Sequence, residues 1–107
     1  MIFKIKLQKL KTIVEKITSR KVNITYTTMF EQGDNRKAVV TFNNIEANIV
    51  INSSNIKSVE DIIDAVAHET AHIILGTNEH SKRFLAKWNE LFAEIKSKYS
   101  YVKKIVV

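Results

Sequence analysis

The stretch His68-Glu69-Thr70-Ala71-His72 places two histidines four positions apart with a glutamate beside the first, and no other feature of the chain restricts its fold as much. Residues i and i+4 stack on one face only if the backbone is helical. Imidazoles stacked in this way can reach one metal ion, with zinc–nitrogen bonds of about 2.0–2.1 Å. Glu69 is then within reach of a water near that ion as a general base. The flanks carry the punctuation of a helix. Ser58 followed three residues later by Asp61 forms a capping-box-like start, and Gly76 supplies a stop, so a helix is expected over 58–75. At about 100° per residue, Ala65, His68, Glu69 and His72 share one arc. Val59, Ile62, Ile63, Val66, Ile73 and Ile74 lie on the opposite arc, which is expected to pack on a core while the polar arc faces a cleft.

The rest of the chain supplies a small α+β scaffold for that helix. Phe3, Leu7, Leu10, Val14 and Ile17 recur at helical spacing and predict an amphipathic N-terminal helix. Val22, Ile24 and Tyr26 alternate with polar residues as in a half-buried strand, and a loop around Gly33 follows. Lys37 to Phe42 and Ile45 to Ile51 read as a hairpin around Asn43-Asn44, since asparagine tolerates the backbone of tight turns. Ile45, Ala47, Ile49 and Ile51 are expected to share the face that packs on helices. Asn52 to Asn55 then reads as a loop leading into the motif helix. A second helix is predicted over 80–98 from Phe84, Leu85, Trp88, Leu91, Phe92 and Ile95, and the apolar residues from Tyr101 to Val107 suggest an extended tail. The expectation is one minimal domain over residues 1–107, with an N-terminal helix, a three-stranded sheet, the motif helix and a second C-terminal helix.

Composition narrows the chemistry. The 107 residues contain no cysteine, which excludes disulfides and thiolate-bound zinc. No apolar run approaches the length of a membrane span. Lys4 and Lys6 interrupt any apolar stretch near the start, so it does not read as a secretory signal, and a cytoplasmic location is the expectation. The net charge of +6 is concentrated early, at Lys4, Lys6, Lys9, Lys11, Lys16, Arg20 and Lys21. A basic amphipathic helix can touch nucleic acid or anionic lipid. A core-docked helix with a lysine-coated outer face is the plainer reading and is favoured, so nucleic acid stays an alternative partner.

The order of elements, with HExxH at residues 68–72, resembles the zincin metallopeptidases. Gly76 and His80-Ser81-Lys82-Arg83-Phe84 after the motif are similar to the WLM and SprT-like proteases, in which a later histidine precedes a helix bearing an aromatic. In size the chain looks like the minigluzincins and selecase, and minigluzincins take their third metal ligand from a glutamate on the following helix. Geometry weighs these options. His80 follows a short reversal after Gly76 and returns near the metal face, whereas Glu90 and Glu94 lie roughly 15 and 21 Å further along a helix. His68, His72 and His80 are therefore the preferred ligands, with Glu90, Glu79 and Glu94 as lesser candidates for the third.

The resemblance implies a Zn2+-dependent endopeptidase acting on peptide or unfolded-protein substrates, with Glu69 as general base. It further implies substrate alignment along the strand before the motif helix, which is Ile45–Ile51 here. Tyr99, Tyr101 and Arg83 are candidates by chemistry for stabilising the oxyanion. A tail over 101–107 lying in the cleft of its own or a neighbouring molecule would make the protein latent and self-associating, and a short edge strand completing the sheet is the alternative for the same residues. The alternative function is a zinc-containing, nucleic-acid-associated protein with little or no peptidase activity.

Overall fold

A computed structural model describes residues 6–28, 33 and 35–100. Among these the architecture is α+β: α1 (Leu7–Thr18), β1 (Lys21–Thr27), β2 (Ala38–Phe42), β3 (Glu46–Asn52), a 3-10 turn at Ser53–Asn55, α2 (Val59–Leu75) and α3 (Lys82–Ser100). The three strands form one sheet in the order β1-β3-β2, with β1 parallel and β2 antiparallel to β3. No helix among the described residues is long and apolar enough to cross a membrane. Phe3 and the tail from Tyr101 to Val107 lie outside the described residues, and with them the expectation of a tail in the cleft.

One face of the sheet carries the core. Val22 and Ile24 of β1, Ala47, Ile49 and Ile51 of β3, and Ala38 of β2 are buried, in step with the two-residue period of a strand. Val40 and Phe42 pack on the same cluster. The helices lie against this face, and α2 is the central one, touching β2, β3, α1 and α3. Its burial therefore extends past the single apolar arc the sequence suggests. Ala67 and Ala71 are as fully buried as Ile62 and Val66, because small side chains there allow a second layer to approach closely.

Two isoleucines depart from their expected places. Ile45 is 73% exposed, because the Asn43 side-chain oxygen accepts the backbone N–H groups of both Ile45 and Glu46 and draws Ile45 into the turn ahead of β3. Ile74, in the last turn of α2, is also exposed, so the apolar arc ends before the helix does.

The hairpin reading also missed a neighbour. β3, expected to align substrate, is the central strand, and both its edges are taken by β1 and β2. The outer edge of β2 has no partner strand among the described residues. That edge is the one beside the motif helix.

Candidate metal centre

Local rules build each part of the site. Ser58 caps α2 by accepting the Asp61 N–H at 3.1 Å, and Asp61 reaches back to the Lys57 N–H at 2.9 Å. The Lys57 N–H, aided by the Lys37 ammonium, holds the Asp61 carboxyl below the usual carboxylate range. At the other end Gly76 takes the left-handed conformation, with φ of 65°, and its N–H bonds the His72 carbonyl. The chain then folds back so that the Thr77 carbonyl lies 2.7 Å from His72 Nδ1. Ser81 opens α3 by accepting the Phe84 N–H, which leaves His80 in the loop just ahead of the helix rather than within its first turn.

This reversal brings the three histidines together. His68 Nε2 lies 3.3 Å from His72 Nε2 and 3.3 Å from His80 Nε2. Tetrahedral ligands on zinc bonds of about 2.0–2.1 Å are themselves about 3.3–3.4 Å apart, so the spacing fits one ion. Because a carbonyl can only accept, His72 donates through Nδ1 to Thr77 and its Nε2 carries a lone pair. A proton on His68 Nε2 could serve only one of its two neighbours well, whereas a cation serves all three. The three residues are close enough to bind a metal ion. An all-imidazole donor set suits zinc, copper, nickel or iron rather than magnesium or calcium.

Burial prepares these groups for ligation. The His68 pKa is pushed down to about 4, mainly by burial and then by His72 and His80, and burial lowers that of His72 as well. His68 is thus neutral and able to ligate well below the pH at which a free imidazole protonates. Glu69 is 6% exposed, and burial raises its carboxyl to about 7 against the opposing charge of Arg36. A cation held by the three histidines would draw that value back down and favour the proton-accepting form.

The cleft has a volume of about 590 Å³, within the usual range for ligand sites. His68, Glu69, His72 and His80 line it together with Arg36, Lys37 and Val39 from the approach to β2 and β2 itself, and with Asp64 and Trp88.

Periodicity places Phe84 and Trp88 among the core residues of the second helix, and the structure brings both against the histidines. Phe84 is fully buried and stacks on His72 with ring centres 4.3 Å apart, and it meets His68 and His80 edge-on at 4.9 Å each. Trp88 packs edge-on against His68 at 4.6 Å and donates its indole N–H to Asp64 Oδ1 at 3.0 Å. The signal was present in the spacing: His80, Phe84 and Trp88 recur every four residues, as do Asp64, His68 and His72. Arg36 had no such signal.

Other candidates lie elsewhere. Glu90 is exposed and pairs with Lys87 at 3.2 Å, Glu94 pairs with Lys98 at 2.7 Å, and Glu79 is exposed in the loop. Tyr99 packs against α1, its hydroxyl accepting the Lys6 N–H, so it does not reach the cleft. Arg83 is exposed and does not line it, and Tyr101 lies outside the described residues. His80→Ala is expected to weaken zinc affinity at least about tenfold, the scale on which disturbing even outer-shell partners of a metal acts, while Glu90→Ala leaves it unchanged. Competition with a chromogenic chelator ranks the two variants, and the reverse order would assign the third ligand to α3.

Comparison with protein-family models, curated proteins and solved structures found no match to this chain.

Proposed function

We propose that this protein is a zinc-dependent endopeptidase, a minimal zincin-like domain that cleaves extended or unfolded polypeptide. One observation carries the reading: three converging imidazoles and a buried glutamate line a cleft bordered by a sheet edge with no partner strand among the described residues. Three protein ligands leave a coordination position free for reacting groups, whereas structural zinc sites usually close with four. An extended peptide can add to the edge of β2 through main-chain hydrogen bonds, and this fixes its carbonyls relative to the histidines.

Zinc in this site would supply a positive centre that polarises the scissile carbonyl and acidifies water. Glu69 takes one proton from the attacking water as the water oxygen bonds to the carbonyl carbon and the carbonyl π pair moves onto its oxygen. Glu69 then returns that proton to the amide nitrogen as the C–N bond breaks and the oxygen pair re-forms the C=O bond. Burial serves both halves of this cycle by keeping the carboxyl far less acidic than it would be in water.

The direct test is cleavage of a reduced, alkylated protein substrate. Activity is expected with about one zinc per chain, to be lost on chelation and to return on adding zinc. A zinc-loaded protein that cleaves neither unfolded protein nor peptides would overturn the reading.

A further inference from the structure

We propose that Asp64 and Trp88 are positioning residues for the metal centre: the Asp64 carboxyl pins the Trp88 indole, and the indole sets the angle of the His68 imidazole. This rests on the metal-binding part of the reading above and not on hydrolysis. His68 is the vertex of the site, since its Nε2 lies 3.3 Å from the Nε2 of both His72 and His80. A turn of this one ring therefore spoils two spacings at once. The χ2 torsion of histidine is broad, so neighbours have to choose its angle. For His72 the Thr77 carbonyl makes that choice through Nδ1, at 2.7 Å. His68 makes its close polar contacts through Nε2, and its ring is met by Phe84 at 75° and by Trp88 at 85°.

Trp88 is in turn held from α2. Its indole N–H is shared between two acceptors of one residue, Asp64 Oδ1 at 3.0 Å and the Asp64 carbonyl at 3.3 Å. Asp64 stands four positions before His68 on the same face of α2, so the bond fixes the indole one helical turn from the ring it has to meet. A partly buried indole normally finds an acceptor, and here that acceptor also decides where the ring lies. The second carboxyl oxygen faces Lys37 at 4.0 Å, so α2, α3 and the approach to β2 all meet at Asp64. Asp64, His68 and Trp88 line the same cleft.

Zinc affinity by chelator competition, with folding checked by thermal melts in chelator, tests the pair. Trp88→Leu and Asp64→Leu are each expected to weaken zinc about tenfold to a hundredfold, the usual scale for partners that orient a ligand. Asp64→Asn keeps an oxygen for the indole N–H while losing the charge, and it should recover most of that affinity. Adding Asp64→Leu to Trp88→Leu should weaken zinc little further, because the two residues act as one unit. Cobalt(II) gives a spectroscopic readout: its visible bands should lose intensity in Trp88→Leu as His68 leaves its place. Asp64 is only partly buried, so its two variants decide the matter if Trp88→Leu does not fold. Asp64→Asn binding zinc as weakly as Asp64→Leu would overturn the role, making Asp64 a distant charge rather than an anchor. Fully additive losses in the double variant would overturn it too. Unaltered zinc affinity and cobalt spectrum in Trp88→Leu would overturn this role alone and leave the metal centre standing. An unaltered protein that binds neither zinc nor cobalt would overturn the metal-binding reading and this role with it.

Discussion

Replacing Glu69 with glutamine is expected to lower peptide turnover by at least about a hundredfold while zinc stays bound. General-base catalysis is commonly worth about 10²–10⁴ in rate, and an amide of the same shape cannot accept the proton. The position makes the test clean. Glu69 is buried at the cleft but is not one of the three converging donors, so the substitution removes a charge without removing a ligand. It also removes the cost of ionising a carboxyl that burial has pushed up to about 7. The sign follows from linkage. A carboxyl whose folded pKa is raised costs stability as pH climbs from the unfolded value, about 4.5, through about 7, and glutamine has no such cost. With chelator present, Glu69→Gln should therefore be at least as stable as the unaltered protein at neutral pH. Metal analysis, a thermal melt and an unfolded-protein assay together decide the matter. Turnover unchanged in the variant would remove Glu69 from the chemistry.

Phe84→Ala is expected to cost about 3–5 kcal/mol of stability, the usual range for truncating a fully buried phenylalanine. For a domain whose whole stability is about 5–15 kcal/mol, that loss is severe. The ring does more than fill volume, since it lies against all three imidazoles at once. Removing it should leave the histidines free to turn, and zinc affinity should fall along with stability. Phe84→Leu separates the two effects by restoring most of the apolar volume without the flat surface. It should regain much of the stability measured with chelator present, yet bind zinc more weakly than the unaltered protein. Equal zinc affinity in Phe84→Leu would reduce the ring to a packing role.

The motif helix was legible in the sequence because every signal for it is local. Ser58 and Asp61 mark its start, Gly76 its stop, and the four-residue spacing of His68 and His72 sets their common face. Local spacing also favoured His80 over Glu90, since a short reversal after Gly76 gives a chain little room to go elsewhere. The element order and the inward faces of the strands followed from periods of 3.6 and 2.

Neighbours across the fold were not legible. A strand's pattern shows which face is buried, but the two edges carry the same main-chain groups, so nothing in Glu46–Asn52 says that β1 joins it in parallel and makes it central. That pairing alone transfers the open edge to β2. Asn43 withdrew Ile45 from the sheet through a side-chain hydrogen bond that hydrophobicity does not register. Arg36 and Glu69 are 33 positions apart, and only the packing of α2 on the sheet brings the charge of one to bear on the other. The sequence by itself determined which groups could bind a metal and on which helix face they stand. Tertiary structure decided which aromatic rings brace them and, among the described residues, which sheet edge lies beside them without a partner strand, because those relations depend on how separate elements meet rather than on any repeat within one of them.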